Sequence, residues 1–257
     1  MILLVIGVVL LGLLVGTAAS HVAEAALSMR RVSVPRCPYC TEPYAPLQWS
    51  ATLAFVTGSA RCRACGRHFR LPRLAGELFL ATGWALLATR YGMSPRVGLA
   101  MVALVPLAMI LVTDLEAKRV PNVITLSSLA VMLVVGSLFG LALPWTEGGP
   151  WWSSLAGAAL GFVIFRLLIW LGVAIFGEGA LGEGDMTLAS YVGAAVGFPV
   201  VLEALLLAFL LGGLGAFLVL VVRKGGLKTA IPYGPFIILG CAISLIWGGE
   251  LLQWFFS

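Results

Sequence analysis

Leu181-Gly182-Glu183-Gly184-Asp185-Met186 lies between two strongly apolar stretches and carries an acid near its end. The chain has 257 residues but only two aspartates, Asp114 and Asp185, each at the edge of an apolar segment. An ionisable side chain at membrane depth is expensive and marks a functional site by default. Two carboxylates brought together share a proton, so one serves as base and the other as acid toward a water. Gly182 and Gly184 lack a Cβ, so the backbone can bend sharply and another chain can come close. The stretch therefore predicts a two-aspartate hydrolytic site inside a membrane. A plainer reading stands beside it, with Asp185 as the N-cap of a helix beginning at Met186.

Composition favours the membrane. The chain is 61% hydrophobic and only 11% charged, against roughly a quarter charged for a soluble domain. The net charge of +5 is clustered in loops, so it bears on topology and not on nucleic acid. Only two histidines are present, and no H-E-x-x-H helix for a metalloprotease.

Apolar runs predict about eight helices. These cover residues 2–20, 77–90 and 97–113, Pro121 to about 143, then 153–176, 186–197, 200–222 and the stretch from Pro232 to Phe256. The sixth of these, 186–197, is too short for an apolar layer that needs roughly twenty residues. Pro121 suits the start of a helix. Trp145, Trp151 and Trp152 suit an interfacial belt. Thirteen of the sixteen Lys and Arg residues fall in three loops on one side. By the positive-inside rule this side is cytoplasmic, both termini lie outside, and Asp114 and Asp185 share the inner face. Arg166, within the fifth span, pairs with a buried carboxylate or snorkels, with a structural role favoured. Cys241 reads as a small packing residue.

The polar segment 30–73 holds Cys37-Pro38-Tyr39-Cys40 and Cys62-Arg63-Ala64-Cys65. Two C-x-x-C knuckles at this spacing predict a structural zinc site filled by Cys37, Cys40, Cys62 and Cys65, with disulfides as the competing reading. A short β-ribbon is expected between them, around Trp49, Leu53, Phe55 and Val56. So small a unit needs the metal for stability. His68 reads as a surface residue. The organisation expected is thus a first transmembrane helix at 1–29, a cytoplasmic four-cysteine loop at 30–75 and a transmembrane domain at 76–257. The fold class is an all-α polytopic membrane protein with a small zinc-knuckle insertion.

Together these residues resemble the prepilin peptidase (type IV leader peptidase) family of G-x-G-D intramembrane aspartic peptidases. The features that carry the resemblance are Gly182-Glu183-Gly184-Asp185, Asp114 followed by Pro121-Asn122, the paired cysteines, and Ile231-Pro232-Tyr233-Gly234-Pro235-Phe236. The resemblance covers roughly residues 37 to 240. It implies an inner-membrane enzyme that removes the basic leader from prepilins or pseudopilins at the cytoplasmic face, with Asp114 and Asp185 as the catalytic pair. Gly182 and Gly184 would admit the substrate backbone, with Pro121 and Asn122 in support. Many bacterial members also N-methylate the new terminus with S-adenosylmethionine. The chain departs in carrying Thr187 where many members have Lys. It keeps only the outline of the family's first-helix motif, as Gly16-Thr17-Ala18-Ala19-Ser20-His21-Val22. No fingerprint for S-adenosylmethionine is readable. Glu116 and Glu183 read as solvated acids near the site. The alternative function is a non-catalytic assembly factor of a pilus or secretion system that docks through its zinc knuckle. A proton-coupled transporter is disfavoured, because both aspartates lie near one face.

Overall fold

The computed structural model describes residues 2–28, 34–37, 39–68, 71–140, 143–146, 149–176, 182–223 and 232–256. The described residues are helical throughout apart from turns and two isolated β-bridges. The helices are α1 (Ile2–Ser28), α2 (Ala51–Val56), α3 (Leu71–Tyr91), α4 (Pro95–Ala117), α5 (Asn122–Phe139), α6 (Ser153–Phe176), α7 (Glu183–Val196), α8 (Val200–Arg223) and α9 (Gly234–Phe256). Six of them, α1, α4, α5, α6, α8 and α9, are long and apolar enough to cross a membrane. With α3 and the shorter α7 they make eight packed helices, and the chain is a multi-pass helical membrane protein.

Helix pairing in lipid gains little from apolar burial, so small residues that let backbones touch decide which helices pair. A Cβ on Gly157 of α6 would lie 2.2 Å from the Gly193 carbonyl oxygen of α7, and one on Gly161 would lie 2.3 Å from the Ala189 carbonyl oxygen. Gly12 and Gly16 seat α1 on the backbone of Ala81 and Glu77 in α3 in the same way. From Leu188 to Val196 every residue of α7 is buried. This short helix is the centre of the bundle.

The contacts also fix heights. The Gly157–Gly193 and Gly161–Ala189 pairs run antiparallel, which brings Phe165 level with Asp185. Beyond that level α6 continues to Phe176, about 16 Å at 1.5 Å per residue. Tyr233 lies against Gly212, so α8 likewise runs on to Arg223 past the head of α9. Thus α7 and α9 both begin partway up the bundle, and the end of α4 meets them there.

The expected β-ribbon is corrected. Residues 51–56 form α2, and β structure among the described residues is limited to the bridges Arg36–Pro43 and Arg61–His68. The Ser50 side chain caps α2 by accepting from the Leu53 N–H at 3.3 Å. Ala51 and Ala54, one turn apart, form its buried face. The larger apolar residues that suggested a strand point outward. Several boundaries also move. Helix α1 runs on to Ser28, α3 starts at Leu71, and α7 starts at Glu183 rather than Met186.

Candidate active site and metal centre

Asp114 sits in the last turn of α4 and is buried. The helix stops at Lys118, which takes the left-handed conformation (φ 51°) and donates its N–H to the Asp114 carbonyl at 2.8 Å. The turn then brings Val120 against Gly184, where a Cβ would come within 2.7 Å of the Val120 Cβ. The second glycine of the Gly-x-Gly-Asp stretch is thus required by packing between the two acidic segments. The first is not, since a Cβ on Gly182 would meet Asp185 Oδ2 at an ordinary 3.6 Å. Pro121 leads into α5, and its carbonyl accepts from the N–H groups of Ile124 and Thr125 at 3.0 and 3.1 Å. Asn122 opens α5 with an exposed side chain.

Asp185 is the third residue of α7, not its N-cap. That role falls to Gly182. The Gly182 N–H faces back to the Asp185 carboxylate, as in the reciprocal half of a capping box. A helix N-terminus favours negative charge. The Thr187 hydroxyl turns back onto the Gly184 carbonyl at 2.9 Å. The two acidic segments pack together at Val120 and Gly184, and the charge of Asp114 reaches Asp185. Glu183 is exposed and Glu116 is half-buried. Arg166 lies on the exposed side of α6, and Cys241 is fully buried in α9.

The head of α9 joins them, although sequence reasoning gave it no place in the site. The Gly234 N–H points at the Asp114 carboxylate. Tyr233 is within electrostatic reach of Asp185. Its ring packs among Phe165, Phe209 and Phe236, with centroids 6.1 to 6.3 Å away. Asp114 Oδ2 and the Tyr233 hydroxyl are buried with no hydrogen-bond partner among the described residues. The available signal was the Pro-Tyr-Gly-Pro stretch, with a glycine between two prolines at a helix start.

The four cysteines converge separately. Their sulfurs all lie within 4.8 Å of one another. Cys37–Cys65 and Cys40–Cys62 are 3.7 and 3.6 Å apart. A tetrahedral ion with metal–sulfur bonds near 2.3 Å gives edges of about 3.8 Å. A disulfide would need about 2.05 Å. The donor set fits a bound metal ion, and all four cysteines are free thiols. The two knuckles are copies of one turn. Cys37 N–H donates to the Glu42 carbonyl and Cys62 N–H to the Arg67 carbonyl, both at 2.9 Å. Thr41 (φ 61°) and Gly66 (φ 70°) hold the same left-handed position. Burial alone would raise the Cys37 thiol, but the backbone groups of Tyr39 and Cys40 bring it down to about 6. His68 is exposed and accepts from Arg61 Nε at 3.0 Å, apart from the cluster.

Glu77, on α3, anchors this unit. It is fully buried. Its carboxylate accepts from the Ser50 hydroxyl and the N–H groups of Ala51 and Thr52, each at 2.8 Å, and from the Thr17 hydroxyl at 3.2 Å. Arg73 pairs with Glu24 of α1 and lies over the Tyr44 ring. The metal unit is thereby fixed to α1 and α3.

The fold and site define a polytopic helical membrane protein with one acid at the end of α4, the other at the start of α7, and a four-cysteine metal cage. Residues 101–217 match the type IV leader peptidase family. It is 26% identical over 220 residues to the Prepilin leader peptidase/N-methyltransferase of Bacillus subtilis (strain 168), covering 85% of this chain and 84% of that one. The protein of the same name from Aeromonas salmonicida (strain A449) is 28% identical over 232 residues, with 87% and 75% covered. That of Myxococcus xanthus (strain DK1622) is 33% identical over 205 residues, with 76% and 56% covered. No solved structure matches.

Proposed function

We propose that the chain is an intramembrane aspartic endopeptidase that removes the basic leader from type IV prepilins or pseudopilins. What supports this reading is that the only two aspartates sit on segments packed together at Val120 and Gly184, with the charge of Asp114 reaching Asp185 and Asp114 Oδ2 buried without a partner among the described residues. A buried acceptor left unsatisfied in a folded core is costly, and a water or a substrate group is the natural partner. One carboxylate takes a proton from the water as the oxygen adds to the scissile carbonyl carbon. The other donates a proton to the carbonyl oxygen. Collapse of the tetrahedral intermediate breaks the C–N bond, with the proton taken from water passing to the departing amine. The pair titrates as a unit, and the roles belong to the pair.

The clustering of positive charge supports an inner-membrane protein with both termini outside and the acid pair at the cytoplasmic face. In this reading the first helix (1–29), the metal-binding loop (30–75) and the peptidase domain (76–257) form one enzyme. Zinc is the metal best suited to four thiolates. With all four ligands supplied by protein, Cys37, Cys40, Cys62 and Cys65 leave no open position for a water, and zinc serves structure alone. The relatives' names also carry N-methyltransferase, which brings S-adenosylmethionine as candidate methyl donor. Among the described residues none is assignable to that donor, and no step above uses it.

The test is cleavage of a prepilin by the purified full chain in lipid nanodiscs. Asp114→Asn and Asp185→Asn are each expected to abolish leader removal while the protein stays folded. Normal processing by either variant overturns the reading. The alternative, a non-catalytic assembly factor docked through its metal knuckle, predicts the reverse pattern, with cysteine replacements disabling and aspartate replacements silent.

A further inference from the structure

We infer that Gly234 is a positioning residue for Asp114, holding its carboxylate in place from the head of α9. This rests on the peptidase reading above and adds a third segment to the acid pair. The local accounting of donors points to it. Helix α9 begins at Gly234. Pro235 has no N–H, and the N–H groups of Phe236 and Ile237 are taken by the Tyr233 carbonyl at 3.1 and 3.4 Å. Gly234 therefore supplies the N–H of this turn that is left to face Asp114. The fit leaves no room for a side chain. A Cβ on Gly234 would lie 2.5 Å from Asp114 Oδ2, 3.1 Å from its Cγ and 3.5 Å from its Cβ.

Electrostatics gives the contact a purpose. Asp114 occupies the last turn of α4, where the helix dipole opposes negative charge. The N-terminus of α9 presents the opposite end of a dipole to the same carboxylate. The turn is itself immobilised by the preceding residue. Tyr233 is packed among Phe165 of α6, Phe209 of α8 and Phe236, and covers Gly212. The head of α9 is thus fastened to α6 and α8 and reaches the end of α4. A neighbouring glycine supplies a control. Gly240, two turns along α9, is at least as crowded, since a Cβ there would lie 2.3 Å from the Ala204 carbonyl oxygen. It contacts no residue of the acid pair.

The experiment compares Gly234→Ala with Gly240→Ala in full-length protein in nanodiscs. It measures kcat, KM and the pH profile of kcat for prepilin cleavage, with thermal melting to report folding. Gly234→Ala is expected to lose about 100-fold in kcat, the scale of a 1 Å misplacement, with KM little changed and the limbs of its pH profile moved. Gly240→Ala is expected to lower the melting temperature and leave the profile where it was. Should Gly234→Ala fail to fold, Tyr233→Leu keeps Asp114 uncrowded but removes the ring packing that fixes the turn. It is expected to show the same profile change with a smaller loss, about tenfold. A wild-type profile and kcat in a folded Gly234→Ala, or in Tyr233→Leu when that variant stands in, overturns the inference. If Asp114→Asn and Asp185→Asn are inactive in the same assay, the peptidase reading survives that failure. If they process normally, both fall.

Discussion

Glu77 and Asp114 are both buried carboxylates on neighbouring helices, α3 and α4, and their surroundings differ in one respect. Glu77 accepts from four donors and closes the joint between the metal unit and the membrane bundle. Asp114 is approached by one backbone N–H and keeps Oδ2 without a partner among the described residues. A satisfied buried carboxylate rigidifies, and a partly satisfied one holds capacity in reserve. Burial and charge alone would not separate the structural acid from the chemical one. The count of donors does.

The largest expected effect of breaking this contrast lies on the Asp114 side. Asp114→Asn should lower cleavage about a thousandfold while its melting temperature stays level or rises, because a costly unpartnered charge has gone. A variant that unfolds instead would make Asp114 structural, like Glu77. The metal unit comes next. Chelation, or Cys37→Ser, should release the metal and open the 37–65 segment to protease, while residues 95–256 stay protected. Metal content and the cleavage pattern report this, and an unchanged pattern would show that the joint at Glu77 holds the unit by itself. The same site carries a pH dependence. Metal binding needs deprotonated thiols, so metal retention should fall as pH drops and protons compete for the four sulfurs.

Glu77→Ala strands the Ser50, Ala51 and Thr52 donors. It should loosen α2 by about 3 kcal/mol, read as faster hydrogen exchange at 50–56. Glu77→Gln should lose less, since it keeps one acceptor. Equal exchange in wild type and Glu77→Ala would remove Glu77 from the joint. The smallest effect is expected at Gly184. Gly184→Ala pushes Val120 away and should lower kcat by about tenfold, with much of the loss recovered in Gly184→Ala/Val120→Ala. Failure of the second change to rescue would show that Gly184 serves something other than this contact.

Much of this was legible in the chain. Aspartates are so scarce, and apolar runs so long, that Asp114 and Asp185 stood out, and the paired C-x-x-C spacing named its own ligands. The sequence hid what depends on distant partners. Residues 51–56 make too short a helix to declare itself, and two of its N-terminal donors are met by a glutamate on another helix. Glu77 itself, read alone, marks only where an apolar run starts. Gly234 gives no sign that its neighbour is Asp114, 120 positions earlier. The Gly157 and Gly161 spacing was a readable signal for close helix pairing, and it places α7 against α6 at the height that sets the site.

The central claim is that two acids act as one unit on one water. The most direct measurement is a double-mutant cycle on prepilin cleavage with Asp114→Asn, Asp185→Asn and the double variant in identical nanodiscs. Residues that work as a unit are grossly non-additive, so all three should fall to the same residual rate. Additive losses, or a single variant that turns over well above the double variant, would contradict the account.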